Sequence, residues 1–295
     1  MTADPFDLDV ELPPRDRWKR PLIVPAGGGE RIPYTRASTM ANYVADHSGL
    51  HTWEKRLLAV GMGLREDLAA RAAALPRLHA ERCDKKSLTR KQINEDRATN
   101  ALVDELIEAA FETAGKNYKA NHGSAIHSLT EPHANLDAVP VRMQADVDSW
   151  ITKLERDNLD VLATEVFVVN DALQAAGTFD HLVRHPTYGI VVLDKKTGQV
   201  DGKGLAFAIQ LATYAGAMVY DVITDERAPL ESLTGGEKVN REVGIIAHIP
   251  LGAGRTDLYQ IDLTQGFERL ATNVRTARSV KDIMTPCAAV TALLS

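Results

Sequence analysis

The sequence is poor in cysteine. Two occur in 295 residues, Cys83 and Cys287, far apart and outside any CxxC pair. That excludes a disulfide framework, and it excludes an iron–sulfur cluster held by four cysteines of this chain. Aromatic residues make up only 5%, and they do not interleave with basic residues as a base-stacking platform would. Trp18, Trp53 and Trp150 are therefore expected to pack. There is no run of about eighteen apolar residues, so no transmembrane helix is expected. The opening MTADPFDLDVELPP lacks the apolar stretch of a signal peptide, and a cytoplasmic location is the resulting expectation. Positive charge is also in deficit, with a formal net charge of −6. A phosphate-rich partner would have to meet local basic clusters rather than an overall positive field. No internal repeat and no low-complexity block is visible.

What is present is an ordinary globular composition, 44% hydrophobic and 25% charged. Its length suits one large domain or two small ones. Residues 1–33 are rich in proline and glycine, including PAGGGERIP, and read as an extended arm. From Thr35 to about Leu78 the pattern is helical. Ser38 or Thr39 is the expected cap, Met40, Tyr43 and Val44 share a face, and Pro76 is a break or kink. The stretch RCDKKSLTRK, 82–91, has five basic residues and one acid and is the most basic short window. A solvated loop and a phosphate contact are both open readings of it. The periodicity predicts an amphipathic helix over 94–117, with Ala101, Leu102, Leu106, Ala109, Ala110 and Ala114 on or near one face. Further helices are expected at about 121–131 and 140–157.

Then the period changes. LATEVFVVN (162–170), LQAAGTFDHLV (173–183) and GIVVLDKK (189–196) read as three strands with short separations, an antiparallel meander. A long apolar helix is expected over 204–220, and strands over 243–250 and 257–263. A last helix is expected over 264–284, and its basic face of Arg269, Arg275, Arg278 and Lys281 is open to both a solvated and a DNA-bound reading. The fold class is α/β or α+β: a central mixed sheet flanked by helices, with an N-terminal helical region. The expected division is an arm at 1–33, a helical subdomain at 34–118 and a core at 119–295.

Two of these strands end in unusual residues. Asp180 closes GTFD, and Asp194 and Lys196 stand two apart in LDKK. Residues two apart on a strand share a face, so Asp194 and Lys196 project together and Lys195 points away. If the two strands pair as a hairpin, Asp180 sits beside Asp194. Two carboxylates so close repel, and an oxygen-seeking cation such as Mg²⁺ or Mn²⁺ resolves the repulsion. A lysine beside that cation can hold a water or neutralise charge developing on a phosphoryl group. Gln210 and Tyr214, four apart on the next helix, share a face. Upstream, HGSAIHSLTE places His127 on a helix with Gly123 and Ser124 one turn before it. An exposed ion pair for Asp194 and Lys196 is the plain alternative, and the apolar run before Asp194 argues against it. His122 and His133 compete with His127 but lack the GSxxH spacing.

The order GSxxH, GTFD, LDKKTG, QLATYA resembles the PD-(D/E)XK nuclease superfamily, and within it the RecB-like branch that includes phage exonucleases. The motifs span about His127 to Tyr220. A softer similarity to phage-encoded members covers PYTRASTMANYVADHSGLHTWEKRL. The resemblance implies a restriction-endonuclease-like core and one or two Mg²⁺ or Mn²⁺ ions. Their ligands would be His127, Asp180, Asp194 and the main-chain carbonyl of Lys195. Lys196 would be the catalytic lysine that positions the attacking water. Gln210 and Tyr214 would match the branch's Q-x-x-x-Y helix, supporting the site and contacting DNA, and Glu165 stands where some members carry an acid. The four cysteines of the iron–sulfur members are missing, so no such cluster is expected. The implied activity is a metal-dependent DNA exonuclease, phage-encoded, acting in recombination, repair or DNA degradation, with DNA and a recombination protein as partners and no membrane. The alternatives are a structure-selective endonuclease and a DNA-binding or assembly factor without turnover.

Overall fold

The computed structural model describes residues 12–44, 48–81, 85–131 and 134–279. They group into two compact units. One comprises the residues up to Ala45 and from Ala125 onward; the other is Asp46–Ser124. No helix among the described residues is long and apolar enough to cross a membrane.

In the first unit β1 (Leu22–Ile23) and β2 (Ile32–Pro33) form a short antiparallel ribbon, and β3 (Thr35–Arg36) leads directly into α1 (Ala37–Asn42). Over its described part, the segment read as an extended arm is packed down. Ile23 and Tyr34 are buried with Phe167, Val169, Ala176 and Tyr220. Arg227 fixes it further, clasping Asp171 at 2.7 and 2.8 Å and the carbonyl of Val24 at 2.6 Å. The cap of α1 is Arg36, without a side-chain hydrogen bond. Ser38 and Thr39, expected as caps, lie inside the helix.

The second unit is helical. The run expected as one pattern to Leu78 divides into α1, α2 (Ser48–Leu64) and α3 (Glu66–Ala73), broken at Arg65, whose backbone is extended. Then α4 (Arg90–Thr113) starts four residues earlier than expected. Thr89 and Gln92 cap it reciprocally, each side chain bonding the other's backbone N–H at 3.3 and 2.9 Å. Gly115, at φ 75°, stops it, and α5 (Lys116–Leu129) follows at once. The buried face of α4 is Leu106, Ala110 and Phe111, while Leu102 is largely exposed. The basic window falls before and into α4. Arg82, Cys83 and Asp84 lie outside the described residues, and Lys86, Arg90 and Lys91 are exposed.

The first unit resumes at Ala125, within α5, and continues with α6 (Val141–Arg156) and the meander β4 (Asp160–Asn170), β5 (Ala175–His185) and β6 (Gly189–Lys196), antiparallel as expected. After α7 (Gly204–Ala215) come β7 (Met218–Tyr220), β8 (Arg227–Pro229), β9 (Val243–His248), β10 (Asp257–Asp262) and α8 (Leu263–Ser279). Thus α7 ends before the expected Tyr220, whose segment instead pairs with β4. Lys281 lies outside the described residues. The sheet runs β10-β9-β6-β5-β4-β7-β8, with β3 joining β5. It is mixed, because β6–β9 and β3–β5 are parallel and the other pairs antiparallel.

Ile190 to Lys195 of β6 are all buried, as befits a central strand covered on both faces. Ile190 and Val192 pack with Leu182, Ile246 and Leu211 under α7. Val191 and Leu193 pack with Ile126, Val147 and Trp150 under α5 and α6. Across α7 lies α8, and Gly266 makes the crossing close: a Cβ there would stand 2.2 Å from the carbonyl oxygen of Ala208. Gly266→Ala should therefore destabilise by about 2 kcal/mol through overpacking. Gly63→Ala, which meets open space in α2, should be neutral or slightly stabilising. Denaturant unfolding of both variants checks the contrast.

Candidate functional site

The site lies where the sheet is broken. On one edge of β5 the ladder with β3 covers Ala175–Ala176, and the ladder with β6 covers His181–His185. Gly177 to Asp180 fall between them. His181 pairs Leu193, so one further step of that register sets Asp180 opposite Asp194. On the other edge the β4 ladder pairs Thr164 with His181 and Val166 with Phe179, which sets Glu165 opposite Asp180. Glu165 has φ 48°, a left-handed conformation rare for a residue with a Cβ in mid-strand. Three carboxylates thus stand in a row across β4, β5 and β6.

Each has a distinct setting. Asp180 accepts the backbone N–H of Lys195 at 2.5 Å, and the Nδ1 of His127 lies 3.4 Å from the same oxygen. Burial pushes this carboxyl up, but the bond to His127 and the charges of Lys195 and Lys196 outweigh it and hold it below the usual range. Asp194 goes the other way, raised by burial and by the charge of Asp180. It is ion-paired to Lys196, and its other oxygen accepts from Gln210 Nε2 at 3.0 Å. Glu165 is pushed up to about 7 by burial and by the charges of Asp180 and Glu131. An excess of buried negative charge is shared across the row, the condition that a bound cation relieves.

The helix behind the row is held by a glycine. Gln210 Nε2 also lies 3.3 Å from the Tyr214 hydroxyl. Tyr214 rests on Gly177, where a Cβ would come within 3.1 Å of its ring. The glycine of GTFD therefore admits the tyrosine that steadies the glutamine on Asp194. Burial, with Asp194 nearby, keeps the Tyr214 hydroxyl strongly raised and hence neutral.

Lys195 does point away from Lys196, as alternation requires, and into the opposite core. Its side chain is 0% exposed. The three protons of its ammonium go to the His127 carbonyl at 3.1 Å, Thr130 Oγ1 at 2.9 Å and Glu131 Oε1 at 2.5 Å. Lys195 is therefore a core lysine and not a solvated one. Trp150 seals the pocket, donating to the Thr130 carbonyl at 3.1 Å and stacking on His181 with centroids 5.5 Å apart. Burial and the Lys195 charge lower His181 to about 3, so it is neutral. The N–H of Lys195 faces β5, and in a strand a residue's N–H and C=O point to the same side. Its carbonyl is therefore directed at the open edge beside Asp180, whereas that of Lys196 turns the other way and accepts from Ile249 N at 2.8 Å.

The structure thus gathers all eight expected residues, His127, Glu165, Asp180, Asp194, Lys195, Lys196, Gln210 and Tyr214. It does not aim them all at one point: among the described residues no group of three His, Cys, Asp or Glu side chains is arranged to hold a metal ion. His127 and Lys196 instead contact the carboxylates directly. By chemistry the donors fit a hard divalent cation, being carboxylate oxygens, one imidazole and one main-chain carbonyl. Sequence reasoning missed Thr130, Glu131 and His181. The signal was there: strand alternation puts Lys195 inside, and a buried lysine needs an acid, which HSLTE supplies one turn after His127. No family model matches the chain, and no curated protein matches it.

The raised carboxyl of Glu165 yields a pH test. Its folded pKa lies above its unfolded value of 4.5. Its contribution is therefore most favourable at low pH and is lost as pH rises through about 7. In EDTA, Glu165→Gln should stabilise the protein by on the order of 1–2 kcal/mol at about pH 8.5 and have little effect at about pH 4.5. Thermal unfolding across pH measures it, and a pH-independent difference would contradict the assignment.

Proposed function

We propose that this protein is a metal-dependent deoxyribonuclease with a restriction-endonuclease-like core, acting as an exonuclease. One observation carries the reading. The break in the sheet sets Asp180 across from Asp194, with His127 on the first carboxylate and Lys196 on the second. These are the residues that the PD-(D/E)XK resemblance implies, and His127 comes to the hairpin of the other three from a helix well before it in the sequence.

In this reading His127, Asp180, Asp194 and the Lys195 carbonyl would hold Mg²⁺ or Mn²⁺. When bound, the ion supplies an acidified water and charge stabilisation at the phosphate. Lys196 leaves Asp194 and orients the attacking water. The water oxygen bonds to phosphorus and gives up one proton to solvent, the P–O3′ bond breaks, and the 3′ oxygen takes one proton from solvent and leaves as a hydroxyl, giving a 5′-phosphate end. Gln210, steadied by Tyr214, keeps Asp194 in its rotamer when Lys196 departs, and Glu165 adds a further carboxylate beside Asp180. With net charge −6, DNA contact is confined to local basic groups and is salt-sensitive.

The test is degradation of end-labelled linear DNA against a covalently closed circle, with Mg²⁺, Mn²⁺ or EDTA. Loss of linear DNA alone, only with metal, and at least about 10²-fold slower in Lys196→Ala, is expected. Cutting of the circle would make it an endonuclease. Binding without cutting of either substrate would leave a DNA-binding or assembly factor.

A further inference from the structure

Lys195 is connected to each part of the candidate metal site by a different one of its own groups. Its N–H donates to Asp180 at 2.5 Å. Its carbonyl faces the open edge beside that carboxylate. Its ammonium donates to the main-chain carbonyl of His127 at 3.1 Å, and to Thr130 and Glu131 just beyond the end of α5. A helix leaves its last four carbonyls without internal partners, and a cation there is favoured by the helix dipole. Thr130 Oγ1 donates to the neighbouring carbonyl of Ile126 at 2.7 Å, so the end of α5 closes around the lysine. Glu131 is 5% exposed and Lys195 0%. A buried pair of this kind stabilises a fold little more than matched apolar residues would. Core filling alone does not call for it.

We propose that the buried Lys195–Glu131 pair is a positioning device: it locks the end of α5 that carries His127 to the segment of β6 that carries Asp194, and so sets the spacing of the metal donors. This rests on the metal-dependent reading above. Lys195 and Glu131 act through their hold on His127, Asp180 and the β6 backbone. Their side chains touch neither substrate nor metal. The pair ties together two donors that come from opposite sides of the sheet, a helix end and a strand edge, with no covalent link nearer than residues 127 to 194.

The test replaces both charges at once, Lys195→Met with Glu131→Leu, so that no buried charge is left alone. Mn²⁺ binding is measured by calorimetry without DNA, and folding by circular dichroism. A purely structural pair predicts a folded double variant with the Mn²⁺ affinity of the wild type. The positioning role predicts a folded variant whose Mn²⁺ dissociation constant rises about 10- to 100-fold, as for other residues that orient metal ligands, with DNA cleavage partly recovered by excess Mn²⁺. Unchanged affinity in the folded variant overturns the proposal and leaves the nuclease reading intact. A wild type that binds no Mn²⁺ and cuts no DNA overturns both. If the double variant fails to fold, Thr130→Val decides. It removes one of the three ammonium contacts, and a several-fold weaker Mn²⁺ affinity supports the role, while no change overturns it.

Discussion

A buried ammonium must find acceptors for three protons, and the architecture around the site follows from where Lys195 finds them. They are the His127 carbonyl, Thr130 and Glu131, all at or just past the end of α5. Both side chains are buried, and left unpaired there either charge would cost several kcal/mol. The helix end and the strand are thereby held in one register. His127 and Asp180 meet because of it, and the same strand step that buries Lys195 turns Asp194 and Lys196 to the other face.

The second constraint is the interrupted ladder of β5. A continuous β5–β6 ladder would engage the backbone groups of Lys195 with β5. Instead the Asp180 carboxylate takes its N–H, and the edge opens. The opposite ladder is interrupted at the same level by Glu165 with its positive φ. Local regularity is given up at one row, and that row contains three acids. Strain and crowded carboxylates in one place are what a binding site shows and a structural core avoids. Together they favour the metal-dependent reading over an incidental cluster of surface acids.

Much of this was legible in the sequence because alternation on a strand is strict. The period of two separated Lys195 from Lys196 and put Asp180 beside Asp194 as soon as GTFD and LDKK were read as a hairpin. Other features were hidden for physical reasons. Glu131 follows a helix end, where an acid ordinarily faces water, and only its distant partner buries it. Glu165 looks like any acid in a strand, since φ is set by the neighbouring ladders. The strands at Met218–Tyr220 and Arg227–Pro229 are three residues each, too short for a pattern, and exist because β4 offers the first an edge and the first offers one to the second. Neither Ser38 nor Thr39 caps α1, because β3 pairing fixes Arg36 as the last extended residue. Leu102 fits the apolar period of α4 yet is exposed, because the packed face is set by the approach of α2 at Gly61 to Ala110.

The central claim is that His127, Asp180, Asp194 and the Lys195 carbonyl form one divalent-cation site. A crystal structure of the protein with Mn²⁺, read by its anomalous signal, tests this most directly. A peak is expected within coordination distance of Asp180, Asp194 and the Lys195 carbonyl, with Lys196 withdrawn from Asp194. A fully ordered site that shows no peak there at saturating Mn²⁺, with Lys196 still on Asp194, would contradict it.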